Sequence, residues 1–247
     1  MQHGGSTEDG AAPGPPPARR GRAARIGLPV TVHRARLGPV EYRVVRPARP
    51  LPRAVLLDRD RFVDGHLDRT AARAFAALWL LAARSPRTLV HLPIRGNDLP
   101  PDVPAGDGRR LDLVLLHHRL QFAPSRWKEL RGRLGAGLPQ QVDLPRAAVV
   151  DGDRVDHAAR HHRENRDLFR QHLHAETLFM TGSAKVFGET AGKFLDLAVE
   201  GPAHVSAHPA GPHFCTEFHA REGVLGTARE LHIEYREAWG TPADAPG

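Results

Sequence analysis

Residues 54–83 read AVLLDRDRFVDGHLDRTAARAFAALWLLAA, and this stretch sets the expectation for the whole fold. It opens on Ala54-Val55-Leu56-Leu57, a short apolar run that suits a buried strand and ends at Asp58-Arg59-Asp60. Asp68 or Thr70 then stands where a helix needs an N-cap, because a short side-chain oxygen can accept a hydrogen bond from the free amides of a first turn. Phe75, Leu78, Trp79 and Leu81 follow at helical spacing to about Ala83. A strand leading into an apolar helix points to layers of sheet and helix rather than to a bundle or a sandwich.

Upstream, Val30 and Val32, then Val40, Tyr42 and Val44, alternate on either side of Gly38-Pro39, as a hairpin requires. Downstream, Thr88–Leu92 and Leu111–Leu116 read as buried strands separated by a Pro/Gly-rich loop, and Ser125 is placed to cap a helix carrying Trp127, Leu130 and Leu134. Val149-Val150 reads as a further strand. Residues 156–180 lack Pro and Gly and place Arg163 with Asp167 and His172 with Glu176 four apart, which predicts a long exposed helix. Another helix is predicted from Lys185 to Val199, and strands at His213–His219 and Ala228–Tyr235 flank Glu222-Gly223. The expected fold is therefore α/β or α+β, a mixed sheet with flanking helices and a C-terminal antiparallel hairpin. It occupies one globular domain over residues 26–240, with disordered ends at 1–25 and 241–247.

Of the 247 residues 40% are hydrophobic, which excludes collagen-like structure and wholesale disorder. A single cysteine, Cys215, cannot form an intramolecular disulfide. No apolar run approaches the roughly 18 residues a membrane helix needs, and the N-terminal arginines have no apolar segment behind them, so the expected location is cytoplasmic, without membrane insertion. Only Lys128, Lys185 and Lys193 supply lysine among 35 basic residues, a bias that fits a GC-rich bacterial genome and weakens arginine content as a sign of nucleic-acid binding. Arginine is nonetheless concentrated at the start, where residues 1–53 oppose their arginines with only Glu8, Asp9 and Glu41. Such a segment can make weak, salt-sensitive contact with nucleic acid or another anionic partner, although no interleaved aromatics accompany it to stack on bases.

Two patterns could carry chemistry. The first is Arg-Ala-x-apolar-apolar-Asp-x-Asp-Arg, found at residues 53–61 and again at 146–154. Asp58 and Asp60, leaving a buried strand, offer hard oxygen ligands for Mg²⁺ in a catalytic role, and the same spacing also serves turns whose aspartates pair with neighbouring arginines. The second is the histidine supply, 16 in all. His157 and His161 stand four apart with Glu164 beyond them, a weak metal signal without an accompanying His-Glu-x-x-His motif.

More specific is the terminal hairpin. A two-residue turn at Glu222-Gly223 would set His213 opposite His232 and Cys215 opposite Glu230. Alternation then gathers His213, Cys215, Glu217, Glu230 and His232 on one face and Phe214, Phe218, Leu231, Ile233 and Tyr235 on the other. These are ligands that Zn²⁺ or Fe²⁺ accepts, and a one-residue slip would scatter them. Neither Gly-x-x-x-x-Gly-Lys-Ser/Thr nor a strand-borne Gly-x-Gly-x-x-Gly is present, so no nucleotide cofactor is expected. Two functions stay open: a metal-assisted cytoplasmic hydrolase acting on a small molecule, or a non-catalytic binding or regulatory protein that meets an anionic partner through its basic N-terminal segment. Because residues 1–25 have almost nothing to bury, their deletion is expected to leave the thermal midpoint nearly unchanged in a differential scanning experiment.

Overall fold

The computed structural model describes residues 25–239 except 105, 107 and 212. Thus the expected N-terminal tail, Arg25 excepted, and the expected C-terminal tail lie outside the described residues. Within them, two mixed sheets enclose a shared apolar core, as the α/β or α+β expectation requires. The chain opens with β1 (Arg25–Leu37) and β2 (Val40–Pro47), the antiparallel pair turning at Gly38-Pro39. Next come β3 (Ala54–Asp58), β4 (Phe62–Leu67), α1 (Arg69–Arg84) and β5 (Thr88–Leu92). They are followed by β6 (Arg109–Arg110), β7 (Asp112–His117), α2 (Trp127–Gly132) and β8 (Leu138–Pro145). The last elements are β9 (Arg170–His174), β10 (Thr177–Gly182), α3 (Ala184–Ala207), β11 (Cys215–Phe218) and β12 (Glu230–Tyr235). The larger sheet runs β8-β1-β2-β5-β7-β10-β9 and the smaller β11-β12-β4-β3-β6.

Helix α1 starts at Asp68, whose carboxylate accepts the Ala71 amide at 2.7 Å. It buries 12 of its 16 residues, so it is apolar around most of its circumference, as a helix enclosed on several sides must be. It packs along α3 and against β1, β5 and β7 of the larger sheet and β4 of the smaller. At its centre the Trp79 indole donates Nε1–H to Thr190 Oγ1 of α3 at 2.9 Å, and Thr190 in turn donates to the Val186 carbonyl at 2.6 Å. Around the indole stand Phe169, Phe187, Phe194 and Phe218, with ring centroids 4.8–5.9 Å away. The Thr190 bond satisfies the one polar atom that burying Trp79 takes out of water.

Residues 156–180 do not form the predicted helix. Short 3-10 turns occupy Gly152–Arg154 and Ala159–His161, and the chain then folds into the β9–β10 hairpin through Ala175 and Glu176, both at positive φ. The i,i+4 pairs that suggested a helix are worth only tenths of a kcal/mol each, whereas Phe169, Leu178, Phe179 and Met180 are fully buried in this arrangement. The second Asp-x-Asp copy likewise differs from the first: Arg146–Ala148 is a 3-10 turn, Val149-Val150 is not a strand, and Asp151 accepts the Asp153 amide. Ser125 lies inside a 3-10 turn, Pro124–Arg126, and does not cap α2. Three strands carry no expectation from sequence: β4, the two-residue β6 and the exposed edge strand β8. At Gly65 in β4 a Cβ would lie 2.6 Å from Ile233 Cδ1 and 2.8 Å from Leu56 Cδ2, so those two side chains would have to shift.

On the α2 side of the larger sheet, buried His91 accepts Arg46 Nε–H at Nδ1 over 2.9 Å and presents Nε2 to Asp112 at 3.7 Å. Burial is the main reason the His91 pKa lies below the ordinary histidine value, with Arg46 and Arg131 adding to it. Burial alone would raise the Asp112 carboxyl, but the adjacent His91 ring, the hydrogen bond from the Arg95 amide and the Arg95 charge hold it below the usual range. Both folded-state values lie below the unfolded ones, so both contributions are complete above about pH 6.5 and are lost as pH falls, His91 first and Asp112 near the carboxylate range. Thermal midpoints measured from pH 7 to pH 4 are expected to fall steadily, and His91→Phe is expected to flatten the upper part of that fall. Trp79→Ala is expected to cost about 3–5 kcal/mol in urea unfolding, through the cavity and the orphaned Thr190.

Candidate metal centre

Strands β11 and β12 pair antiparallel, with Cys215 opposite Glu234, Thr216 opposite Ile233, Glu217 opposite His232 and Phe218 opposite Leu231. This corrects the expected pairing of His213 with His232 and Cys215 with Glu230. The connection is not a two-residue turn: residues 219–229 form a longer loop with a 3-10 turn at Ala220–Glu222 and Gly223 at φ 68°. Burial of Val224 and Leu225, together with the Phe169 amide bonded to the Val224 carbonyl at 2.7 Å, draws this loop into the core. The slip is four residues, an even number, so no side chain changes face. Phe218, Leu231, Ile233 and Tyr235 still point into the core, Phe214 packs partly buried at its margin, and Cys215, Glu217 and His232 face the other way.

On that outer face, ligand atoms of His213, Cys215 and His232 all lie within 4.8 Å of one another, a group that could hold a metal ion. The two imidazoles stack with centroids 5.5 Å apart and planes 7° from parallel. Each Nδ1–H is donated to a buried carboxylate, His213 to Glu234 and His232 to Asp64, at 3.0 Å in both cases. With both Nδ1 atoms engaged, the Nε2 atoms are left to ligate, the arrangement that orients histidine in metal sites.

The two carboxylates are themselves held. Arg59 donates to Asp64 at 3.0 Å and Arg236 to Glu234 at 3.0 Å, and buried His66 lies between them, 3.4 Å from Asp64 and 3.8 Å from Glu234. Burial would raise the Asp64 carboxyl, yet His232, His66 and Arg59 drive it well below the usual carboxylate range. The His232 imidazolium is correspondingly favoured by Asp64 against the opposing effect of burial. Burial raises the Cys215 thiol, and the nearby Glu217 and Glu234 charges raise it further, so the thiol keeps its proton unless a cation displaces it.

The other expected ligands stand apart from the trio. Glu217 Oε1 is 3.9 Å from His232 Nε2, and its second oxygen meets His219. Exposed Glu230 accepts the Ala220 amide at 3.1 Å and faces His219 at 3.4 Å. Beside the trio opens a cleft of about 420 Å³ walled by Glu217, His219, Glu230, His232, Arg61 and Phe62.

Asp58 and Asp60 sit at the β3–β4 turn. Buried Asp58 accepts from Arg109 at 2.8 Å on one oxygen, and from Arg229 and the Asp60 amide on the other. Burial tends to raise its carboxyl, and the two arginines reverse this and lower it. Asp60 is exposed and occupies the left-handed region at φ 61°. Neither belongs to a group of three or more metal-ligand side chains among the described residues. His157 and His161 are exposed beside the Ala159–His161 turn and do not join such a group either.

The residues that sequence reasoning missed are Asp64, His66 and Glu234. Alternation carries the signal: Asp64 and His66 share one face of β4, and Glu234 follows His232 by two in β12. Both pairs become visible only once β4 is placed parallel to β12, His232 beside Asp64 and Glu234 beside His66. The chain matches no protein-family model, no curated protein and no solved structure. For the turn, Asp58→Asn is expected to lower the unfolding free energy by about 1–3 kcal/mol through its arginine partners, measured by urea denaturation.

Proposed function

We propose that this protein is a metal-assisted hydrolase, with one zinc- or iron-type ion held by His213, Cys215 and His232 beside the cleft. The observation that carries this reading is the pair of imidazoles, each held through Nδ1 on a buried carboxylate, in a group whose histidine and Cys215 ligand atoms lie within 4.8 Å of one another. Such pre-orientation costs burial of two carboxylates, which a surface hairpin facing only water would not need. Three protein ligands leave a position for substrate or water, the feature that separates catalytic zinc sites from closed structural ones.

A bound ion of this kind supplies a Lewis acid and lowers the pKa of an attacking water. The chain's own groups divide the remaining work. Glu217, next to His232 and on the cleft wall, is placed to take a proton at its carboxylate. Arg61 on the same wall is placed to attract a negative group of a small-molecule substrate, and Phe62, half-exposed, to pack against its apolar part. Asp64, His66 and Glu234 position the ligands and touch no substrate.

The test is metal content and cobalt spectroscopy on the untagged full chain after incubation with Zn²⁺ or Co²⁺ and gel filtration. One equivalent is expected, with a cobalt-thiolate charge-transfer band that disappears in Cys215→Ser. His213→Ala, at a side chain 59% exposed, should abolish stoichiometric retention while the circular dichroism stays unchanged. Asp64→Asn should weaken binding by about tenfold to a hundredfold. Wild-type protein that retains no transition metal would overturn the reading.

A further inference from the structure

A second concavity lies away from the metal centre, where the start of β1, the segment after β2 and the outer sides of α1 and α3 meet. It encloses about 540 Å³, inside the range of roughly 300–1,000 Å³ typical of small-molecule sites. Its floor is apolar. Ile26, Leu28, Leu51 and Leu195 are partly buried and pack on the main core, and Val199 of α3 is 54% exposed at the rim. An apolar margin left uncovered beside a filled core costs free energy in water and gains it when a ligand covers it.

Around this floor stand Arg25, Arg49, Arg73 and Arg146, and no Asp or Glu is among the lining residues. None of the four makes a side-chain hydrogen bond or close ion pair among the described residues, and Arg146 alone feels a carboxylate, that of Asp196 on α3. What sets the groove apart is that four arginines and no carboxylate line one apolar concavity. Arginines come to the groove from the first residue of β1, the segment after β2, the second turn of α1 and the 3-10 turn after β8, so only the tertiary structure brings them to one groove. No aromatic side chain lines the groove, which argues against stacked bases and hence against single-stranded nucleic acid.

We infer that this groove binds a free anionic amphiphile of fatty-acid type, its chain on the Ile26, Leu28, Leu51 and Leu195 floor and its carboxylate among the four arginines. An apolar floor alone would take any hydrocarbon. Four arginines lining it, with no carboxylate among the lining residues, select one ending in an acid and disfavour cationic or neutral chains. Because none of these residues contributes to the His213-Cys215-His232 centre, the inference stands or falls independently of the metal.

The test is isothermal titration of the full chain with dodecanoate below its micellar concentration, beside dodecanol, dodecyltrimethylammonium and acetate as separate probes. Saturable one-to-one binding of dodecanoate is expected, weakened by raised salt and at least about tenfold tighter than that of the neutral chain. Arg73→Gln with Arg146→Gln should weaken it by about tenfold, and Val199→Asp, at an exposed position, should weaken it without altering the thermal midpoint. Equal binding of acetate would reduce the groove to an anion site and overturn the inference, as would unchanged affinity in the arginine variant. Sedimentation with phosphatidylglycerol vesicles in the absence of dodecanoate binding would replace the free amphiphile with a membrane surface. Dodecanoate binding seen only after removal of residues 1–24 would assign the groove to the chain's own N-terminal segment.

Discussion

The main core between the two sheets is centred on the buried Trp79 indole and its hydrogen bond to Thr190. That contact joins α1 to α3, and the phenyl rings around it come from the segment before β9, from α3 and from β11. Through Phe218 the same cluster fixes which side of β11 is inward. Since successive strand residues point to opposite faces, the burial of Phe218 is what turns Cys215 and Glu217 outward. The candidate metal centre is thus oriented from beneath, by an apolar cluster that contributes no ligand to it.

A second constraint acts on the outer face. Asp64 and Glu234 are nearly inaccessible, and carboxylates in that position are tolerated only with cationic or hydrogen-bonding partners on each oxygen. Arg59 and Arg236 provide part of this, and the Nδ1–H groups of His232 and His213 provide the rest. The demand runs both ways: the carboxylates need the histidines, and the histidines acquire a defined tautomer and direction. Asp58 shows the contrasting outcome for a buried aspartate, since arginines take both of its oxygens and it closes a turn instead.

The histidine-rich segment at residues 156–174 shows why charge spacing is a poor guide when aromatic burial competes with it. Surface pairs four apart contribute tenths of a kcal/mol, against about 1.5–3 kcal/mol for each large apolar side chain removed from water. Phe169 and the Leu178–Met180 run therefore decide the local structure, and His172 and His174 follow onto the outer side of β9.

The sequence by itself determined those features that depend on near neighbours. The Asp68-capped helix, the hairpin at Gly38-Pro39 and the buried strands at Thr88–Leu92 and Asp112–His117 are local decisions of capping, alternation and turn chemistry. So is the shared face of Cys215, Glu217 and His232, because alternation is indifferent to an even slip in register. Tertiary structure alone decided the register, since only the core shows that Val224 and Leu225 must be buried and the loop lengthened. It alone supplied Asp64, His66 and Glu234 as supports, because a parallel pairing of β4 with β12 joins residues some 170 positions apart, and no local pattern encodes a contact of that range.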